Sequence, residues 1–321
     1  MSTNWRSVRW AASVIETAPW WSVLVAPVVL GALAVVGVVW GRYLAARAAG
    51  SVDGNVAAGV AGDVARLLVG QRRSTLAPDR LMWRLGLVSL PVAAILAVAV
   101  VPLGRWAVDD LGVGIVWFNA MEISAWAGVW AAGWGSNSAL SLVGGYRFLA
   151  QGLAYELPHM FALIGAATAA GSLRVGAIVA AQRHLWFALW MPVGFAAFLL
   201  SVLGFSFMAP FDQPVGADLA GGVLVEAAGV DRLMLVAGRW LLLAAGSAMA
   251  VPLFLGGGLG PVLPAWAWSL LKTVAVLGLL VGAGRLVPTV RMEKWAPVAW
   301  TVLIPLTIAQ DLVAAVVVLA R

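Results

Sequence analysis

The sequence predicts an all-α, polytopic membrane protein with about eight transmembrane helices and one interfacial amphipathic helix. Three observations carry that prediction. Hydrophobic residues make up 63% of the 321, mean hydropathy is +0.97, and only 11% are charged, against roughly 25% in an average soluble domain. Apolar runs of about 20 residues, the length that crosses a hydrocarbon core about 30 Å thick, recur to the C-terminus. No stretch alternates apolar and polar residues as a half-buried strand does. With no soluble-looking block and no clear repeat between the runs, residues 1–321 read as one membrane domain.

The first run covers 19–40 and exceeds the roughly 7–15 apolar residues of a signal peptide, so it reads as a retained helix. Between 54 and 71, Val56, Val60, Val64, Leu67 and Leu68 recur at helical spacing with Asp63 and Arg66 among them. That is the pattern of a helix lying in the membrane interface, although a linker hugging the headgroups would show it too. Seven further runs follow, at 85–103, 113–134, 146–170, 185–208, 233–255, 263–284 and 297–320.

Loop charges set the expected orientation. Arg42, Arg47, Arg66, Arg72, Arg73, Arg80 and Arg84 follow the first run, and Arg285, Arg291 and Lys294 precede the last. The opposite loops carry mainly Arg105, Arg174 and Arg183. The positive-inside rule therefore places both termini outside, with Arg6 and Arg9 pulling weakly the other way.

Composition also excludes chemistry. The chain has no cysteine, which removes thiolate metal sites, iron–sulfur clusters and disulfides, and it has only two histidines, His159 and His184. The net charge of +6 belongs to membrane topology, since no basic run is interleaved with exposed aromatics; nucleic acid is not an expected partner. Gly256, Gly257, Gly258 and Gly260 lack the Lys and Ser/Thr of a phosphate-cradling loop.

The informative residues are the ionisable ones inside the apolar runs, because a charge at that depth is costly without a partner or water. Residues 133–157 end a loop at Ser136-Asn137-Ser138 and enter a helix bearing Arg147, Gln151, Tyr155, Glu156 and His159. Glu156 and His159 are three apart and share a face. Pro158 frees a carbonyl one turn before it, an opening for water or a polar side chain. Glu122, Arg239, Lys272 and Asp311 lie one to a run. Together these eight residues, Glu122, Arg147, Tyr155, Glu156, His159, Arg239, Lys272 and Asp311, form an expected proton path along a hydrated axis. A structural ion pair between Arg147 and Glu156 would also account for those two.

The segment 209–232, APFDQPVGADLAGGVLVEAAGVDR, gathers Asp212, Asp218, Glu226 and Asp231 with Pro210, Pro214 and four glycines. An irregular segment of this kind persists at membrane depth only when covered by protein or lining a cavity.

The motifs GWGSNS, YRFLAQGLAYE, APFDQP, LFLGG with GPVLP and a following LLK occur in that order. The combination resembles the H subunit of bacterial NADH-quinone oxidoreductase, the subunit 1 family of respiratory complex I. Related subunits occur in membrane-bound nickel–iron hydrogenases. The resemblance implies an eight-helix membrane subunit that lines the entrance of a quinone chamber. Quinone is then the substrate, and no cofactor is bound by this chain alone. The implied partners are other membrane-arm subunits, soluble iron–sulfur subunits on the cytoplasmic face, and the lipid of a bacterial plasma membrane.

Carried over residue by residue, Arg147, Gln151, Tyr155 and Glu156 match the motif that begins the polar path. Phe211, Asp212, Asp218 and Glu226 match the acidic loop beside the quinone cavity, and Asp63 and Arg66 match the interfacial helix. Four departures stand out. Phe205 and Met208 occupy positions where family members usually carry Glu and Arg, and Gly238-Arg239-Trp240 replaces a Gly-Glu-Tyr motif. Val215-Gly216-Ala217 replaces Glu-Ala-Glu, and Glu226-Ala227-Ala228-Gly229 replaces Glu-Tyr-Ser-Gly. The resulting expectation is a subunit that couples quinone chemistry to proton movement. A non-redox transporter and a hydrogenase-type membrane anchor are the alternatives.

Overall fold

The computed structural model describes residues 15–50 and 55–320. Arg6, Arg9 and Gly54, which entered the readings of orientation and of the interfacial helix, lie outside the described residues. Twelve α-helices are described: α1 Ser22–Ala48, α2 Val56–Val69, α3 Arg80–Ala97, α4 Gly114–Gly135, α5 Ala139–Ala170, α6 Val175–Ala181, α7 Phe187–Trp190, α8 Pro192–Phe205, α9 Val230–Phe254, α10 Ala265–Leu286, α11 Met292–Val298 and α12 Ile304–Leu319.

Five helical stretches are long and apolar enough to span a bilayer: Ser22–Ala48, Arg80–Val100, Val230–Phe254, Ala265–Leu286 and Met292–Leu319. Helix α5 with α6, bent by 64° at their junction, makes up to six. The expected eight are therefore not reached on length and composition. Two segments account for the shortfall. Asn119, Glu122 and four tryptophans dilute the 22 residues of α4, and the fifth run is cut at Met191-Pro192 into α7 and a 14-residue α8. Proline supplies no backbone donor, so it starts α8 and does not continue α7.

Helices α3, α4, α5, α8 and α9 pack in contact sequence, with α1 and α10 on α9 and α12 on α5 and α8. The packed interior is mostly Leu, Ala and Phe, including Leu90, Phe118, Phe148, Phe198 and Phe254, all fully buried. Glycines let backbones approach where bulk would collide. A Cβ on Gly86 would lie 2.3 Å from the amide nitrogen of Ala132, so α3 and α4 touch backbone to backbone there.

The amphipathic segment is helical as expected over Val56–Val69, capped by the Asn55 side chain accepting from the Ala58 amide at 3.1 Å. It buries only Val60 and rests on α1 and α9. One feature departs from the expectation of no strand: Glu16–Thr17 (β1) pairs in parallel with Trp106–Ala107 (β2). Two residues are too short for alternation to be visible in sequence.

Segment 209–226 forms three short 3₁₀ turns, Gln213–Val215, Ala217–Leu219 and Gly222–Leu224, at one end of the bundle. The α2 helix and the start of α5 lie at that same end. The loop after α3, the α6–α7 connection and the loop between α9 and α10 lie at the other.

Candidate functional site

The helices α4 and α5 place a buried polar cluster between them. The Tyr155 hydroxyl donates to Glu122 Oε1 at 2.5 Å, and the Trp126 indole N–H reaches both Glu122 Oε1 at 3.0 Å and the Tyr155 oxygen at 2.7 Å. Asn119 donates to Glu156 Oε1 at 3.1 Å. One turn of helix separates Glu122 from Trp126 and from Asn119, so a single face of α4 meets Tyr155 and Glu156 of α5. Glu122, Tyr155 and Glu156 are 1%, 2% and 9% exposed. Yet Glu122 Oε2 and Glu156 Oε2 have no partner, which leaves acceptor sites free for a proton or water.

Two glycines make room for this cluster. A Cβ on Gly152 would come within 2.6 Å of the Trp126 ring, and one on Gly204 within 2.6 Å of the Tyr155 ring. Gln151 fixes α5 against the end of α8 by donating to the Gly204 carbonyl at 2.7 Å.

Toward the loop end, Arg147 pairs with Asp218 at 2.7 Å and donates to the Gln213 carbonyl at 3.3 Å. The structural pairing of Arg147 with Glu156 considered from sequence is thus replaced by a bridge to the acidic segment. The Arg147 guanidinium hydrogen-bonded to Asp218 holds that carboxyl below its ordinary range. The segment is pinned at further points. Phe211 packs on Trp295 with ring centroids 4.9 Å apart, Asp212 accepts from the Thr289 hydroxyl at 2.8 Å, and Glu226 accepts from Ser138 at 2.7 Å. On the interfacial helix, Asp63 bridges Arg66 and Arg42 of α1.

The other expected path residues are placed apart from the cluster's hydrogen bonds. His159 is fully buried among Phe118, Phe198 and Phe205, with neither ring nitrogen bonded. Arg239 donates to the Phe207 carbonyl and lies over the Phe207 ring at 4.6 Å. Lys272 donates to the carbonyls of Leu255, Gly257 and Leu259 at 2.7, 2.9 and 2.7 Å, where α9 ends. Lys272 thus holds the turn that follows α9 by its backbone carbonyls. Asp311 enters the α5–α12 contact beside Gly165, both its oxygens buried and unbonded. It does not reach for the surface as a residue near a helix end can.

Sequence reasoning missed Trp126, Asn119 and Arg42 as partners. For Trp126 and Asn119 the signal was present in their helical spacing from Glu122. Gln182 was also missed: its amide donates to Pro252 and Leu253 carbonyls and accepts from the Phe187 and Gly256 amides, joining the α6–α7 turn to the end of α9.

The family model described as NADH dehydrogenase matches residues 21–315. The chain belongs to the NADH dehydrogenase family. It is 34% identical over 262 residues to an H subunit of the NADH-quinone oxidoreductase of Rhodopseudomonas palustris, covering 81% of this chain and 82% of that one. It is 33% identical over 262 residues to an H subunit of the same enzyme from Geobacter sulfurreducens, covering 78% and 80%. Among solved structures, a chain of the membrane-bound sulfane sulfur reductase, an archaeal respiratory membrane complex, has the same fold. There the TM-score is 0.79 at 22% identity, over 91% of this chain and 99% of that chain.

In this member of the NADH dehydrogenase family the departures noted above have structural consequences. Phe205 packs edge-on to both Tyr155 and His159. Arg239 of α9 meets the sulfur of Met208 at 3.6 Å. Trp240 lies against Gly37 and Gly41 of α1, where any Cβ would come within 3.3 Å of its ring.

Proposed function

We propose that this chain is the membrane subunit of a complex I-like quinone oxidoreductase, a multi-pass component of a bacterial plasma membrane with both termini outside. Acting as one membrane domain, it forms part of the quinone cavity and passes protons through the bundle. It contributes no redox centre, and soluble iron–sulfur subunits dock on the face that bears α2 and segment 209–226. The observation that carries this reading is the buried cluster between α4 and α5: Glu122 is hydrogen-bonded to Tyr155 and Trp126 and Glu156 to Asn119, and each carboxyl keeps one oxygen unbonded.

A proton entering at the loop end passes Arg147 and Asp218 to Glu156, Tyr155 and Glu122. His159 and Asp311 continue the path toward the far end through water, with Arg239 and Lys272 fixing the backbone that surrounds it. Asp63, Arg66, Phe211, Asp212, Asp218 and Glu226 border the quinone cavity. Arg147 and Arg66 hold its acidic side chains in place. Quinone is substrate, drawn from the bilayer.

The test is Glu156→Gln in the assembled complex reconstituted into vesicles. The rate of proton translocation across the vesicle membrane, beyond the protons that quinone reduction itself consumes, falls about tenfold or more, equivalent to about 1.4 kcal/mol in the transfer step. Normal stoichiometry at normal turnover would remove Glu156 from the path.

A further inference from the structure

An apolar site lies at the opposite end of the bundle from segment 209–226. Here α1, α10 and the turn after α3 diverge around a cavity of about 400 Å³, within the roughly 300–1,000 Å³ of small-molecule sites. Val25, Val29 and Leu33 of α1, Val101, Ala248 of α9 and Leu270 of α10 form its walls. The β1–β2 pair roofs it, held by Glu16 N–H to the Arg105 carbonyl at 2.8 Å and Ala18 N–H to Ala107 at 2.7 Å.

Three side-chain hydroxyls line this space, and two are satisfied. Ser269 accepts from the Gly104 amide at 3.0 Å, and Thr273 donates to the Ser269 carbonyl at 2.8 Å. The third, Ser22, is 8% exposed, and its oxygen is buried without a partner. A buried hydroxyl in an otherwise apolar wall asks for an acceptor from outside the protein. At the mouth stand Trp21, Trp106 and Trp266, each about half exposed, the residue type that marks the headgroup boundary of a bilayer. The exposed Arg105 precedes Trp106 on the roof.

We propose that this cavity holds one acyl chain of a phospholipid from the adjoining leaflet. The chain fills the space between α1 and α10, the Ser22 hydroxyl turns about χ1 from its buried position to donate to the ester oxygen, and Arg105 meets the phosphate. Each feature has a counterpart in that one molecule: a long apolar tail, an acceptor at the tail's head, and a negative charge just beyond. An isoprenoid tail carries neither ester nor phosphate and would leave Ser22 and Arg105 unmet. Water is disfavoured in a space walled almost wholly by hydrocarbon. The site is independent of the proton path and stands whether or not that reading holds.

The test uses a phospholipid with a photoactivatable group on its acyl chain, applied to native membranes that contain the complete assembly, with crosslinked peptides mapped by mass spectrometry. Label is expected on peptides covering 18–33 and 98–108. It is lost in Ala248→Trp, which fills the cavity, and lowered several-fold in Ser22→Ala, while label on the lipid-facing surface of α12 is unchanged. If Ala248→Trp does not assemble, the wild-type map and Ser22→Ala decide. Absence of label at 18–33 and 98–108 while α12 is labelled overturns the proposal, as does label insensitive to both substitutions. Erasure of the label by an isoprenoid quinone in place of unlabelled phospholipid assigns the cavity to that tail, and label that appears only after deletion of residues 1–14 assigns it to this chain's own N-terminal segment. Either result also overturns it.

Discussion

Tyr155 donates to Glu122 at 2.5 Å across the α4–α5 contact, and the Trp126 indole binds both oxygens of that pair. In such a network the bonds polarise one another, and each member orients the next. One oxygen on each carboxyl stays buried and unbonded within a bundle whose core is mostly phenyl rings and aliphatic side chains.

Tyr155→Phe keeps the ring and its packing but removes the one donor that bonds Glu122 at 2.5 Å. Trp126 alone then holds Glu122, at a stability cost of about 1–3 kcal/mol for the weakened buried acceptor. Proton uptake by the reconstituted complex drops while assembly, judged by gel filtration, is kept. Full uptake would show that the hydroxyl is only structural.

Gly152→Ala tests the same cluster from a residue with no polar atom in its side chain. Its methyl would meet the Trp126 ring at 2.6 Å and turn the indole away from Glu122. The expected phenotype matches that of Trp126→Phe, and the double substitution adds little further loss. Strict additivity would place the two effects in separate parts of the molecule.

Lys272→Met separates support from proton transfer. Three carbonyls at the end of α9 lose their donor, each costing about 1–3 kcal/mol where it stays buried, so the thermal midpoint in detergent falls markedly. Turnover and proton stoichiometry of the complexes that do assemble remain near wild type. A stable variant with lost pumping would put Lys272 on the path itself.

The Arg147–Asp218 bridge sets a pH expectation. Asp218 is held below its ordinary range by Arg147, so its contribution is fully present above the unfolded carboxylate value near about 4 and is lost as pH falls through the lower folded value. Anchoring of segment 209–226, followed by limited proteolysis, is then constant from neutral pH down to about 5. Asp218→Asn loosens it at every pH. Because Asp218 is 61% exposed, the cost stays below about 1 kcal/mol.

Much of this was legible in the amino-acid order, for reasons that differ by element. Helix α2 was readable because its apolar residues recur at helical spacing. Glu122, Tyr155 and Glu156 stood out because charge inside an apolar run demands an explanation. Their mutual contact was not readable, since it depends on Gly152 and Gly204 admitting aromatic rings, and a glycine's neighbours lie on other helices. The same limit hid the partner of Asp63, which is Arg42, 21 positions away, and the partner of Arg147, which is Asp218 on a distant loop. Helix α8 was misjudged in length because Met191-Pro192 reads as apolar while its backbone interrupts the helix. The role of Lys272 depends on where α9 stops, which composition does not encode.

Arg239 grips the carbonyl of Phe207 at the point where the chain leaves α8 and starts toward the acidic segment. The root of that segment is therefore fastened to the side of a 25-residue rod. Any push on the segment at one face of the membrane is delivered as leverage to α9, whose far tip is tethered by Lys272 and Gln182. A disturbance at one surface thereby acquires a mechanical route to the other without any side chain having to change its protonation.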